Sequence, residues 1–464
     1  MTTPGSAAAG PRGRAADSHG QAAGPRGQAA GPRGQAADSH GQAADSHGQA
    51  ADSHGQSADS HGQSADSHGR AAGPRGQAAG PVGPAALRRH NLGLLLAALR
   101  EGPASRAALA ARTGLTRATV ASLLDPLVAD GVLAEVTAAP SGVGRPARPV
   151  SFAPGSPVAL GISVEVDGLV GCAVGLDGRL TGLRRLPRDH RDLSAEAVAA
   201  GAGEFAAALA AGGRATAGAG RRVLGTGLAL PVLLSGPAMD PLVVRAPNLP
   251  GLTGARPAAA FTGAFPGPLV VGNEATFGAL AHTDVAPDLV YVSADVGIGG
   301  GLVVDGGVWR GARGFAGEIG HVVVDREGPP CGCGGRGCVE QYAGRTALLR
   351  AAGTSDLDAL ERALTSGDPR ARDAVHRAGS ALGVGLASVV NVVDLPVVVL
   401  GGTLARLVDH LLPAVREELT QRCMGHPPDR VVASRHHGTA TVRGAAEAVL
   451  AEVLTDPDRL RTPA

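Results

Sequence analysis

The chain has 464 residues, of which 71 are glycine and 33 are proline, and only 2% are aromatic. Its net charge of +1 excludes a general electrostatic attraction to nucleic acid or to membranes, so any such binding must depend on a local patch. No apolar signal segment follows Met1, and no apolar run is long enough to cross a bilayer. With only five cysteines, we expect a cytoplasmic protein with reduced thiols and no membrane partner.

Residues 1–84 are low in complexity and consist of GPRGQAA and QAADSHG units. Alanine is the only apolar residue of these units, and each contains glycine, so the segment cannot bury enough apolar surface to offset its chain entropy. The sequence therefore predicts a disordered tail. Histidines recur every seven residues in this tail, at His40, His47, His54, His61 and His68. Either they bind a metal ion weakly, or the repeat has expanded without forming a metal site.

Residues 85–154 begin with leucines at helical spacing, and a glycine-proline pair ends this first helix. Ser105 and Thr116 are typical N-cap residues for two further helices, and Gly114 lies in the tight turn between them. This order is that of a helix-turn-helix, in which the helix after the turn enters the major groove of DNA.

Two short predicted strands, GVLAEV and ARPVSF, flank the segment TAAPSGVGRPAR and form a hairpin wing. An arginine-bearing wing tip can enter a narrow minor groove. The alternatives are an ordinary three-helix bundle with a hairpin and a winged helix that binds protein instead of DNA. The candidate DNA contacts are Thr116, Arg117, Thr119, Ser122, Arg145 and Arg148.

From residue 155 to residue 464, predicted strands alternate with predicted helices, which indicates an α/β domain. Residues 297–301, GIGGG, are not a dinucleotide fingerprint, because the segment that follows is typical of a strand and not of a helix. We expect a glycine-rich turn between two strands, whose backbone N–H groups can closely approach an anion or sugar hydroxyls.

Three of the five cysteines lie within eight residues of one another, shortly after a histidine. One imidazole nitrogen and three thiolates form a donor set that is typical of structural zinc. The intervening glycines allow the loop to fold around a cation, and the Cys-x-Cys spacing disfavours a disulfide within it. The sequence therefore predicts a structural Zn²⁺ site, with free thiols as the alternative, at His321, Cys331, Cys333 and Cys338.

The segments VSADVGIGGGLVVDGGVWRGARGFAGEIGH and CGCGGRGCVEQYAG resemble the ROK family of repressors, open reading frames and sugar kinases, and the N-terminal module resembles that of its transcription regulators. The resemblance implies a winged helix-turn-helix followed by a two-lobed, actin-like or hexokinase-like α/β domain. It also implies zinc at the histidine and three cysteines. Similar proteins hold sugar hydroxyls with the residues that match Asn273, Glu274, Glu318, His321 and Glu340.

Two departures separate this chain from the kinases of that family. The kinases have Asp-x-Gly-Gly-Thr on the first hairpin, where this chain has residues 163–167, SVEVD, whose carboxylates disfavour a polyphosphate. Glu274 stands at the position of the kinases' catalytic aspartate, and its additional methylene moves the carboxylate by roughly 1 Å. We therefore predict no catalytic residue and no enzymatic activity.

Together these features predict a sugar-responsive transcriptional regulator, a repressor, which binds a double-stranded DNA operator on the nucleoid as a homodimer or homotetramer. A bound sugar would change the closure of the lobes and the spacing of the DNA-binding modules, which requires a different affinity for each state. One alternative is an ATP-dependent sugar kinase that carries a DNA-binding module. Another is a DNA binder that responds to no ligand.

Overall fold

The structure is a computed structural model that describes residues 83–136, 148–212, 221–237, 240–261 and 263–461. Nearly all of the predicted repeat tail, and Arg145 at the tip of the predicted wing, lie outside the described residues. The predicted domain limits, after residues 84 and 154, stay predictions.

The first described elements are three helices and a two-stranded hairpin, which we call the head. Ser105 Oγ accepts a hydrogen bond from the Ala108 amide at 3.1 Å, so the predicted cap is present. Gly114 follows the second helix with φ of 72°, a left-handed conformation that favours glycine and allows a tight turn. The elements are Pro84–Arg100 (α1), Arg106–Thr113 (α2), Arg117–Ala129 (α3), Leu133–Glu135 (β1) and Val150–Phe152 (β2).

The next elements form lobe one around a five-stranded sheet of order β5-β4-β3-β6-β9. The pairs β5–β4 and β4–β3 are antiparallel, whereas β3–β6 and β6–β9 are parallel. Residues 165–167 join β3 to β4. The elements are Val158–Val164 (β3), Gly168–Gly175 (β4), Leu180–Pro187 (β5), Ala195–Gly212 (α4), Val223–Leu230 (β6), Leu233–Ser235 (β7), Leu242–Arg245 (β8), Pro257–Ala260 (α5) and Leu269–Asn273 (β9).

Lobe two contains a second five-stranded sheet, of order β12-β11-β10-β13-β14. It repeats the pairing of lobe one, with two antiparallel pairs followed by two parallel pairs. Two helices, Glu274–Leu280 (α6) and Ala440–Thr455 (α13), contact strands of the sheets and each other. The strands are Leu289–Ala294 (β10), Ile298–Val304 (β11), Gly307–Val308 (β12), Val397–Gly401 (β13) and Arg430–Ala433 (β14).

The outer helices of lobe two pack on this sheet and bury a continuous aliphatic core. No helix in the described part of the chain is both long and apolar enough to cross a membrane. The helices are Glu340–Ala343 (α7), Arg345–Ala352 (α8), Leu357–Ser366 (α9), Pro369–Val393 (α10), Gly402–Arg406 (α11) and Val408–Arg422 (α12).

The glycines of residues 297–301 lie mostly inside a strand, so the predicted glycine-rich turn is wrong in its extent. Gly299, Gly300 and Gly301 pair with β10, and only residues 295–297 form the turn. A Cβ at Gly301 would lie 2.7 Å from the carbonyl oxygen of Ala275 in α6. Glycine is needed there because the helix lies directly on the strand.

The core of the head continues into lobe one. Leu95 and Leu96 of α1 are fully buried, in the same apolar cluster as Val449 and Leu450 of α13. Burying an aliphatic side chain of this size contributes about 1.5–3 kcal/mol. The head is therefore attached to α13 by a packed interface.

Candidate functional site

A cleft of about 940 Å³ is lined by residues of both lobes. The part of the cleft lined by the N-terminus of α6 and by residues near the cysteine loop is called the metal-side half. The part lined by the turns at 165–167 and 295–297 is called the hairpin-side half. The structure brings all five predicted sugar contacts together in the metal-side half: Asn273, Glu274, Glu318, His321 and Glu340.

Asn273 caps α6, and this role occupies most of its side chain. Its Oδ1 accepts hydrogen bonds from the amides of Ala275 and Thr276 at 2.9 and 3.1 Å. Its Nδ2 donates to Glu274 Oε2 at 2.6 Å and to the Val232 carbonyl at 3.3 Å. Asn273 therefore orients the carboxyl group of Glu274 within the cleft.

The Glu274 carboxyl group lies deep in the cleft. Burial raises its pKa to about 8, and the nearby carboxylates of Glu318 and Asp295 add to the increase. At neutral pH the group is therefore mostly protonated and donates a hydrogen bond more readily than it accepts a proton. A carboxyl group with this pKa can donate a hydrogen bond to a hydroxyl oxygen, and its ionised fraction can accept a proton.

Glu318 lies beside His321, and Glu340 lies beside Cys331, whose Sγ is 4.0 Å from Glu340 Oε1. Glu318 Oε2 is 3.9 Å from His321 Nε2, and burial raises the pKa of Glu318. Glu340 Oε2 accepts a hydrogen bond from the Ile298 amide at 3.0 Å. A Cβ at Gly297 would lie 2.1 Å from Glu340 Oε2, so glycine allows this carboxylate to reach the turn. The carboxylates and the imidazole can together hold several hydroxyl groups.

The predicted metal ligands form one cluster, in which the four donor atoms all lie within 4.8 Å of one another. His321 Nδ1 is 3.7 Å from Cys331 Sγ, and the sulfurs of Cys333 and Cys338 are also 3.7 Å apart. A tetrahedral zinc ion with bonds of about 2.1–2.3 Å requires donor separations near these values. The donor set and its geometry therefore fit zinc. Coordination through Nδ1 would leave Nε2, which faces Glu318, for a ligand.

Two contacts between the lobes were not found by the sequence analysis. Arg245 of β8 donates a hydrogen bond to the carbonyl oxygen of Gly332, in the cysteine loop, at 2.7 Å. Ser235 of β7 likewise donates to the Arg313 carbonyl at 3.1 Å. The β7–β8 hairpin of lobe one thus holds two loops of lobe two beside the cleft. No local sequence signal identifies these pairs, because each hydrogen bond joins residues far apart in the chain.

The hairpin-side half of the cleft is rich in carboxylates. Glu165 and Asp167, which the sequence analysis singled out, line it together with Asp295, which it did not. Burial raises the pKa of both Glu165 and Asp295, whereas the guanidinium groups of Arg185 and Arg345 act in the opposite direction. A polyphosphate in this half would therefore meet these carboxylates beside the guanidinium groups of Arg185 and Arg345.

The candidate DNA contacts in the head lie at the start of α3 and at the base of the hairpin. Thr116 Oγ1 caps α3 by accepting from the Thr119 amide at 3.1 Å, and Arg117 and Ser122 are exposed. Arg148 is exposed but pairs with Glu135, with Nη1 3.3 Å from Oε2. Thus Thr116 also stabilises the helix, and Arg148 has a partner within the protein.

The repeated sheet topology and the cleft define a two-lobed α/β fold of the actin-like, hexokinase-like class, as predicted. The sequence model of the ROK family matches residues 215–452, which is more than half of the 464 residues. The chain therefore belongs to the ROK family.

Three comparisons extend this result. A xylose repressor of Bacillus subtilis is 28% identical over 345 residues, which cover 71% of this chain and 86% of the repressor. The crystal structure of a ROK family transcriptional regulator, a homologue of the E. coli MLC protein, matches 81% of this chain and 100% of its own with a TM-score of 0.68; at 22% identity, this likeness concerns the fold. A ROK hexokinase from Thermus thermophilus is 30% identical, with a TM-score of 0.53, over 64% of this chain and 99% of its own.

Proposed function

We propose that the protein is a sugar-responsive DNA-binding transcriptional regulator that acts as a repressor. The observation that carries the proposal is the packed interface between the head and α13, a helix that also contacts α6 beside the cleft. A head joined rigidly to the cleft can report on what the cleft holds. The length over which the chain matches a xylose repressor supports the same function.

In this proposal the head reads DNA. The tight turn before α3 and the hairpin after it suit a winged helix-turn-helix, with α3 in the major groove. Arg117 and Ser122 are exposed for contacts to bases or phosphates, and Arg148 lies at the base of the wing. The chain acts as a homodimer or homotetramer in the cytoplasm, because a two-fold operator requires two heads.

The effector in this proposal is a sugar in the metal-side half of the cleft. Glu274, Glu318, His321 and Glu340 offer both donors and acceptors to hydroxyl groups. Zinc would be held by His321 and the three cysteines, and when bound it fixes the tautomer of the imidazole. This role is structural, because all four positions around a tetrahedral ion are filled by protein. The name of the Bacillus subtilis relative makes xylose the first sugar to test.

A direct route connects the cleft to the head. Thr441 Oγ1, at the start of α13, donates a hydrogen bond to the carbonyl oxygen of Glu274 at 3.3 Å. Near the middle of α13, Glu447 pairs with Arg100 of the head. A sugar that moves Glu274 would therefore bias the position of α13 and of the head. Such a bias requires different sugar affinities in the two positions.

An ATP-dependent sugar kinase is the second candidate, and the likeness to the Thermus thermophilus hexokinase favours it. Against it stand Glu165 and Asp167 at the turn of the first hairpin, where the family's kinases have glycines that hold ATP phosphates. The additional methylene of Glu274, relative to the catalytic aspartate of the family's kinases, also displaces the carboxylate by roughly 1 Å.

A sugar panel tests the proposal. Zinc-loaded protein is melted with xylose, glucose and other neutral sugars, each with and without Mg²⁺-ATP, and the products are assayed for phosphorylation. We expect one sugar to raise Tm, with no added effect of ATP and no phosphorylated product. The Glu340→Gln variant should lose the shift. Phosphorylation that disappears in Glu274→Gln would establish the kinase instead.

A further inference from the structure

A chain of ion pairs crosses the head from α3 to the base of the wing. Asp125 Oδ1 of α3 is 2.7 Å from Arg106 Nη2 of α2, and Arg106 Nη1 is 2.8 Å from Glu135 Oε1 of β1. The other oxygen of Glu135 is 3.3 Å from Arg148 Nη1, next to β2. The four charges alternate in sign and join elements that are separate in the sequence.

Arg106 is the branching point of this chain. One guanidinium group binds two carboxylates with different nitrogens, which a lysine ammonium group cannot reproduce with the same geometry. Its side chain is only 27% exposed, compared with 57% for Asp125. The guanidinium groups of Arg106 and Arg148 also lower the pKa of Glu135.

Apolar packing fixes the base of the wing, where Leu133 and Val150 are buried in the same cluster as Leu124 of α3. The described strands of the wing pair over only three residues each, from Leu133–Phe152 to Glu135–Val150. Val150 and Ala104 exchange two backbone hydrogen bonds, of 2.9 and 3.1 Å, which anchor the base of β2 close to Arg106. Among the described residues, the ion pairs that connect the hairpin to α3 are formed by Glu135 and Arg106.

We propose that Arg106 and Glu135 are positioning residues for DNA recognition: they set the wing relative to α3, so that Arg148 and Arg117 reach one DNA site together. This inference rests on the proposed DNA-binding function. Contacts to phosphates fix the register of a protein on the duplex, so a loose wing reduces selectivity more than it reduces general attraction. Neither residue needs to touch DNA for this effect.

The test compares Arg106→Lys, Arg106→Gln and Arg89→Gln. Arg106→Lys keeps the charge and removes the two-carboxylate contact. Arg89→Gln is the control, because it removes one charge and the pairs with Asp456 and Asp458, away from the hairpin. Operator DNA selected from a random pool and non-operator DNA are titrated at several salt concentrations, and amide hydrogen exchange is followed in β1 and β2.

For Arg106→Lys we expect operator affinity to fall by about 3- to 30-fold, with non-operator affinity and its salt dependence unchanged. Exchange in β1 and β2 should rise by about 3- to 10-fold in both Arg106 variants and stay unchanged in Arg89→Gln. Equal operator affinity and equal exchange in wild type and Arg106→Lys would overturn the inference. If the wild type binds no DNA while exchange still rises in Arg106→Lys, the proposed function is wrong. Arg106 would then still hold the hairpin in place.

Discussion

Arg100 of α1 and Glu447 of α13 form a partly buried ion pair, in which Nη2 lies 2.7 Å from each carboxylate oxygen. The two residues are 347 positions apart. Gly93 strengthens the same interface, because a Cβ there would lie 2.5 Å from the carbonyl oxygen of Leu454. The first and last long helices of the described chain are thus joined by charge as well as by apolar packing.

Breaking this pair should uncouple the head from the cleft. Arg100→Met leaves the Glu447 carboxylate without its partner and should lower the free energy of unfolding by about 1–3 kcal/mol. We also expect the effect of sugar on operator binding to shrink, with sugar affinity nearly unchanged. The control is Arg377→Met, which removes an exposed pair with Asp373 on α10 and should cost less than about 0.5 kcal/mol. A full sugar response in Arg100→Met would show that the signal takes another route.

Removing one metal ligand should release the ion and loosen the cleft. Cys331→Ala leaves three donors, so metal content measured by mass spectrometry should fall from about one zinc per chain to a small fraction of that value. Tm should fall as well, because the cysteine loop is no longer held by the metal. The same loop contains Gly332, whose carbonyl oxygen accepts a hydrogen bond from Arg245 of lobe one. Cys423→Ala, outside the cluster, should keep its zinc. Wild-type protein that contains no zinc after purification would contradict the zinc assignment.

Glu274 should make stability depend on pH. Because burial raises its pKa from 4.5 to about 8, the folded state binds more protons than the unfolded state between these values. The contribution of this group is therefore fully present below pH 4.5 and is lost as the pH rises towards 8. The slope is at most about 1.4 kcal/mol per pH unit. Glu274→Gln should remove this slope in denaturant titrations from pH 5 to 9, and an unchanged slope would show that the carboxyl group has an ordinary pKa.

The DNA-binding role of α3 can be tested by a substitution at its exposed start. Arg117→Gln should weaken operator binding by about 1–3 kcal/mol and reduce the salt dependence by about one released counterion if the guanidinium contacts a phosphate. Arg362→Gln removes the same charge from an exposed position on α9 and serves as the control. Equal affinity of the two variants for operator would show that Arg117 does not contact the DNA.

The sequence predicted the parts of this protein that depend on local chemistry. Ser105 and Thr116 act as caps because a hydroxyl oxygen can satisfy helix amides only from that position. The donor cluster of His321 and Cys331 followed from the spacing and chemistry of one loop. The cleft residues that the family resemblance implied also lie together, because strand ends and helix starts converge at the cleft.

Relationships that depend on tertiary packing could not be predicted. Nothing near Arg100 indicates that it meets Glu447, and nothing near Arg245 indicates that it holds Gly332. The error in the glycine segment has the same origin. Gly301 is required by a helix that approaches from elsewhere in the chain, whereas its neighbours in sequence suggested only a turn.

The most direct test of the central claim measures operator binding as a function of sugar. Fluorescence anisotropy of labelled operator, selected from a random pool with zinc-loaded protein, gives Kd with and without the sugar that raises Tm. We predict that the sugar weakens operator binding by at least about tenfold, a coupling of about 1.4 kcal/mol, and that Glu340→Gln keeps operator binding but loses the response. An operator Kd that no sugar alters, or a protein that selects no DNA sequence, would show that the protein is not a sugar-responsive regulator.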